Sequence, residues 1–217
     1  MARKIPPQDF GSIRVRTPDC HPGQRIGIMG GSFNPPHDGH RIAAEAAIKR
    51  LRLDQLWWLI TPGNPLKTGN GSGAPGINGR RDLVRAFARG PRMKITSFEH
   101  ELGTRYTAGT LAFLKRRHPA VRFVWVMGAD NLATFHRWQH WRDIASTMPI
   151  AVVDRPGWRH AALASPAAQV LAKFRLSETD APLLVNQKPP AWLILTTRLS
   201  SLSSTALRNA TPDVVKR

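Results

Sequence analysis

A single cysteine, Cys20, stands in 217 residues, so no internal disulfide can staple this chain. It lies in a Pro- and Gly-containing stretch and reads as incidental. Carboxylates are scarce too: 14 Asp and Glu face 32 Lys and Arg, a formal net charge of +18. With so few acids, no cluster of carboxylates is legible that would cage a hard cation. No apolar run approaches the length of a membrane span, and the opening MARKIPPQDF has no apolar core of a secretory signal. The expectation is therefore a cytoplasmic protein without a membrane partner. Gly-Lys-Ser/Thr is absent, which excludes a P-loop. A dinucleotide loop of the G-x-G-x-x-G kind is excluded as well: the glycines are Gly27, Gly30 and Gly31, and the strand that would carry the ribose-binding acid ends Trp58-Leu59-Ile60-Thr61.

What is present suits one α/β domain, since 41% of the residues are hydrophobic. The excess of cations raises nucleic-acid binding as a non-enzymatic alternative, because phosphate backbones reward clustered Lys and Arg. The arginines are nevertheless scattered through the sequence, and no recognition helix or aromatic platform is legible. Nucleic acid is accordingly the less favoured partner.

The stretch around which the rest is organised is RIGIMGGSFNPPHDGHRIAAEAAIK, residues 25–49. A short continuous apolar run predicts a buried parallel strand. An Ala-rich run over residues 42–51, with Glu45 and Lys49 four apart, predicts a helix. Between them lies a Gly- and Pro-rich loop with Gly30, Gly31, Ser32, Phe33, His37 and His40. A strand, a Gly-rich loop and a helix N-terminus together present free backbone N–H groups and the positive end of a dipole, an anion-binding arrangement for which phosphate is the obvious ligand. Histidines three apart at the start of a helix share one face.

Residues 1–24 carry Pro6, Pro7, Pro18 and Pro22 without periodicity and are expected to form an extended or disordered extension, with residues 25–217 as a single domain. Further strands are expected over residues 54–60, 93–98, 121–127, 149–153 and 191–195, and helices over 80–89, 107–117 and 161–174. A helix covering Trp138 and Trp141 would turn both rings the same way. This alternation predicts a Rossmann-like, doubly wound open parallel sheet with helices on both faces. In such a sheet ligands meet the loops at the carboxyl ends of the strands, which places Lys67 and Asp130 where a phosphate or ribose could be met. The Gly-rich residues 68–79 read as a flexible segment able to act as a lid. Thr107 opens a helix, as do the hydroxyls Ser203, Ser204 and Thr205 ahead of Arg208, a second place for a polyphosphate.

The string Gly31-Ser32-Phe33-Asn34-Pro35-Pro36-His37-Asp38-Gly39-His40 resembles the GxFxPxHxGH signature of the nucleotidyltransferase superfamily, with Asn34 where many relatives carry Asp. SSTALR is similar to that superfamily's ISSTxxR, with Leu202 in place of the usual Ile. Three more stretches, TRYTAGTL, GADNLATFHRWQHW and VDRPG, resemble the nicotinate-nucleotide adenylyltransferase family of bacteria. That resemblance implies transfer of AMP from ATP to nicotinate mononucleotide in NAD biosynthesis. It implies ATP contacts at Gly30, Gly31, Ser32, Phe33, His37, His40, Lys67, Asp130, Ser203, Ser204, Thr205 and Arg208, with His37, His40 and Arg208 catalytic. For the mononucleotide it implies Ser32, Thr107, Trp138, Gln139 and Arg155. It further implies Mg²⁺ held mainly by the ATP phosphates and leaves room for a homo-oligomer. Nicotinamide mononucleotide and phosphopantetheine are the alternative acceptors.

Overall fold

The computed structural model describes residues 15–61, 75–104 and 106–197. Six strands run in the order β3-β2-β1-β4-β5-β6, all parallel: β1 Arg25–Gly31, β2 Gln55–Ile60, β3 Met93–Thr96, β4 Arg122–Gly128, β5 Ile150–Val153 and β6 Trp192–Leu195. The order reverses direction between β1 and β4, which lie side by side with Ile28 opposite Trp125. The doubly wound arrangement expected from the sequence is thus the one found, and its switch point lies directly above β1 and β4.

The strands read as unbroken apolar runs because both faces of the sheet are covered. Ile28, Trp57, Phe123, Trp125 and Ile150 point to one face, under α4 (Thr107–Arg117), α5 (Ala129–Thr134) and α6 (Trp141–Thr147). Met29, Trp58, Val126 and Val153 point to the other, under α1 (Asp38–Arg50) and α2 (Ile77–Phe87). Helix α1 reaches the sheet through Ala43, Ala44 and Ala47, all buried, and small side chains there allow a close approach. Asp38 in its first turn and Lys49 and Arg50 in its last complement the dipole. Fully burying each large apolar side chain of such a core contributes roughly 1.5–3 kcal/mol.

Three expectations need correction. Residues 161–174 are not one helix but α7 (Arg159–Leu163), α8 (Pro166–Val170) and a 3₁₀ turn. The break is at Ser165, whose hydroxyl accepts the Ala168 N–H at 3.3 Å while Pro166 occupies the first helical position. Trp138 and Trp141 do not share a helix: Trp138 is extended after a 3₁₀ turn (Phe135–Arg137), His140 is left-handed with φ 58°, and Trp141 opens α6. Residues 77–79, expected within a flexible segment, form the first turn of α2; residues 68–74 lie outside the described residues. Residues 98–102, between β3 and α4, form a further helical turn, α3 (Phe98–Leu102).

Residues 15–24 lack regular structure but pack against the domain. Val15 is buried in the core, the Arg16 N–H donates to Glu101 Oε2 at 3.3 Å, and the Gln55 amide donates to the Asp19 carbonyl at 3.1 Å. Cys20 also has company, with Sγ 3.4 Å from His118 Nδ1, whose Nε2 is 3.0 Å from the Thr17 hydroxyl. Burial and the negative Asp19 push the Cys20 thiol up, away from the thiolate a nucleophile needs. The contact is a latch between the chain before β1 and the end of α4.

Candidate active site

At the carboxyl end of β1 the backbone passes through Gly30 and Gly31, and at Gly30 a side chain is impossible without displacing a core ring. A Cβ there would stand 2.5 Å from Cη2 of Trp125 on β4. The chain then turns at Phe33 with φ 45°, a conformation few side chains adopt, held by packing of the buried ring on Trp58 (5.1 Å) and on His40 (5.0 Å, edge to face). His37 is the N-cap residue of α1, and His40 is in the helix's first turn. Their imidazoles stack with centroids 3.8 Å apart and planes 32° apart. The shared face expected from the spacing is therefore an actual contact between rings.

The two histidines are chemically unlike. The His37 backbone N–H donates to Nδ1 of His40 at 3.3 Å, which leaves the His40 proton on Nε2. His37 itself is 2% exposed, and neither of its ring nitrogens has a hydrogen-bond partner among the described residues. Burial first, and then the positive Arg155, hold its pKa down to about 4, so at neutral pH the free protein carries it uncharged. An unpaired buried polar group costs on the order of 1–3 kcal/mol, a cost relieved when a ligand supplies the missing partner. The arrangement waits for an acceptor or donor at the N-terminus of α1.

That site is completed from β4 and β5. Asp130, in the first turn of α5, pairs with Nε of Arg155, which follows β5, at 3.3 Å. A Cβ on Gly128 would run into the Asp130 carboxylate and come within 2.9 Å of Arg155 Nε, so the glycine is what lets the pair close over β4. A shallow, open cleft lies beside it, lined by Gly39, Ile42 and Ala43 of α1, by Asp154, Arg155 and Pro156, and by Thr197. The floor is braced by Arg159, whose guanidinium donates to Asp154 Oδ2 at 2.8 Å and to the Thr196 hydroxyl at 3.2 Å.

Loops from β1, β4 and β5 thus bring together Gly30, Gly31, Ser32, Phe33, His37, His40, Asp130 and Arg155 at the switch point. Thr107 is the first residue of α4, behind the extended and partly exposed Tyr106. Trp138 is half-buried, its ring edge-to-face on Phe135 at 5.5 Å, and Gln139 is exposed beyond it. Lys67, Ser203, Ser204, Thr205 and Arg208 lie outside the described residues. Two buried charged groups were missed by sequence reasoning. Glu99 of α3 is 3% exposed, accepts the Thr110 hydroxyl at 2.6 Å, and has a pKa that burial pushes up to about 7. Arg80 of α2 is 7% exposed. Neither carries a local signal that separates it from a solvated charge, because only the tertiary contacts bury it.

Residues 28–210 match the family model described as cytidylyltransferase-like. A probable nicotinate-nucleotide adenylyltransferase of Bradyrhizobium sp. (strain ORS 278) is 54% identical over 189 residues, 87% of this chain and 96% of that one. One from Rhizobium meliloti (strain 1021) is 55% identical over 185 residues, 85% of this chain and 97% of that one. Among solved structures, Plasmodium falciparum nicotinic acid mononucleotide adenylyltransferase complexed with NaAD superimposes with a TM-score of 0.63 at 16% identity, over 86% of this chain and 83% of that one, a likeness of fold. With the family model covering residues 28–210 and relatives alike over nearly their whole length, the chain belongs to the cytidylyltransferase-like nucleotidyltransferases, in the nicotinate-nucleotide adenylyltransferase family.

Proposed function

We propose that this enzyme transfers AMP from ATP to nicotinate mononucleotide, giving deamido-NAD and pyrophosphate. The observation that carries the reading is the stacked His37–His40 pair at the N-terminus of α1, with Asp130 and Arg155 facing it across the sheet's switch point. The acceptor phosphate is already an anionic nucleophile. It forms a new P–O bond at the α-phosphorus of ATP while the bond to the bridging α–β oxygen breaks in line, and the electron pair leaves with pyrophosphate. No covalent protein intermediate is needed, so catalysis is positioning and stabilisation of charge.

In this reading His40 directs its Nε2–H at the triphosphate, and His37 supplies a ring N–H or accepts a proton as negative charge arrives. Arg155 balances the acceptor phosphate, and Asp130 accepts hydrogen bonds from the adenosine ribose. Trp138 stacks on the pyridine ring, and the Thr107 hydroxyl with the backbone at Gln139 receives its carboxylate. Lys67, Ser203, Ser204, Thr205 and Arg208 are assigned to the phosphates from the motifs alone. As for Mg²⁺, imidazole is a poor ligand for so hard a cation, and the donors of this site fit a metal carried on the oxygens of ATP. Bound there, it would neutralise charge on the phosphates.

The reading is tested by pyrophosphate release with ATP and Mg²⁺, run in parallel with nicotinate mononucleotide, nicotinamide mononucleotide and phosphopantetheine. The acid mononucleotide is expected to give the highest kcat/KM. A preference for phosphopantetheine would overturn the assignment, and a preference for the amide would reassign the acceptor. The role of Trp138 is read in Trp138→Ala. Loss of one stacking platform, worth about 1–3 kcal/mol, should raise the KM for nicotinate mononucleotide by about ten- to a hundredfold and leave the KM for ATP near its original value.

A further inference from the structure

Arg80 is the one Lys or Arg in the buried class among the described residues. It sits at the end of the first turn of α2, outside every motif of the sequence. Its Nη1 donates to two carbonyls at once, that of Ser32 at 2.9 Å and that of Thr61 at 2.8 Å. These carbonyls belong to the chain just past neighbouring strands, where Gly31 is opposite Ile60 and the Thr61 N–H donates to the Gly31 carbonyl at 3.0 Å. The guanidinium therefore extends the β1–β2 ladder by one rung beyond the sheet. Among the described residues no carboxylate pairs with it. A guanidinium stays charged at any physiological pH, so among the described residues a positive charge compensated by carbonyl dipoles alone is fixed beneath the loop.

The Ser32 carbonyl is one end of the peptide whose other end is the Phe33 N–H, and Phe33 holds the left-handed backbone on which the loop turns. A conformation of that kind persists only where its surroundings over-determine it. Two anchors do so: the Arg80 hydrogen bond fixes the peptide plane from below, and the Phe33 ring is wedged between Trp58 and His40. Moving the peptide moves the ring, and the ring is the edge against which the His40 imidazole rests.

We propose that Arg80 is a positioning residue for the triphosphate subsite: by gripping the Ser32 and Thr61 carbonyls it sets the Ser32–Phe33 peptide and, through the Phe33 ring, the orientation of His40. This rests on the reading of the site as an adenylyltransferase centre. Arg80 touches no substrate itself. Its action through the loop should appear on ATP and on turnover more than on the mononucleotide, for which Ser32 is one contact among several.

The test uses the full chain with Arg80→Met and Arg80→Lys. Arg80→Met should keep its far-UV circular dichroism and a cooperative melt, lose about tenfold or more in kcat, and raise the KM for ATP at least threefold while the KM for nicotinate mononucleotide rises by a smaller factor. Arg80→Lys keeps a charge and donors but lacks the flat fork, and should fall between Met and the parent. Calorimetric titration with α,β-methylene-ATP reads the same loss without turnover. If the parent enzyme released no pyrophosphate, the functional reading would fail, and the titration would still report on Arg80. Parental kcat and ATP affinity in Arg80→Met, whatever its melting temperature, would reduce Arg80 to a structural rivet. Should Arg80→Met not fold, parental kinetics in Arg80→Lys would overturn the proposal equally.

Discussion

Replacing His40 by Ala is expected to lower kcat by about 10²- to 10³-fold, the loss typical of removing one preorganised donor from a site of developing charge. His40 is well placed to have so large an effect. Its Nδ1 is committed to the His37 backbone N–H at 3.3 Å, so the proton is held on Nε2 and the donor needs no tautomeric rearrangement when substrate arrives. The ring is fixed on both sides, by the His37 imidazole at 3.8 Å and by the edge of Phe33 at 5.0 Å. Preorganisation of this kind is what makes a hydrogen bond stronger in the transition state than in the ground state. Stability should change little, because Ala is a good helix former and the first turn of α1 keeps its backbone and its acidic Asp38. Steady-state kinetics with a circular dichroism melt decides it. A folded His40→Ala enzyme within a few-fold of the parental kcat would remove His40 from the chemistry.

The parts of this site that could be read from the sequence are those where local pattern and global position coincide. Continuous apolar runs such as Leu56-Trp57-Trp58-Leu59-Ile60 announce strands buried on both faces, and their alternation with helical stretches carries the doubly wound order. The loop from Gly30 to His40 is legible because strand, turn glycines and helix start follow one another within a few residues. Asp130 was reached through its place at a strand end and Arg155 through the VDRPG resemblance, although their contact with each other depends on the switch between β1 and β4. What stayed hidden is set by tertiary burial. Glu99 stands in Glu99-His100-Glu101, which reads as a solvated turn, and Arg80 is one cation among 32. The break at Ser165-Pro166 was legible as an N-cap followed by proline, but the apolar spacing around it suggested a longer helix. His140 carries no glycine to advertise its left-handed turn, so the two tryptophans looked like one helical face.

Glu99 yields the second large effect, on stability. Burial pushes its pKa up to about 7, against the partial opposition of the Thr110 hydrogen bond, while the unfolded chain titrates near the ordinary 4.5. Between those values the folded protein binds more protons than the unfolded one, so this residue makes stability fall as pH rises from about 4.5 to about 7, and above that the loss is complete. At about 1.36 kcal/mol per pH unit the whole change is on the order of 3 kcal/mol. Glu99→Gln keeps an oxygen to accept the Thr110 hydroxyl and removes the ionisation. The variant should therefore be more stable than the parent at pH 8, by up to that amount, and the advantage should vanish near pH 4.5, where the parent's carboxyl is protonated and the second amide hydrogen becomes a small liability. His37 slopes the other way, since a buried imidazole held down to about 4 makes stability rise between pH 4 and 6.5. The two partly cancel in the parent, so a flat parental profile would be uninformative. The difference between parental and Glu99→Gln unfolding free energies, measured by urea titration across pH 4.5 to 8, isolates the carboxyl, because His37 is common to both. A difference that stays constant over that range would mean that Glu99 titrates alike in the folded and unfolded chains and that its burial is without consequence for charge.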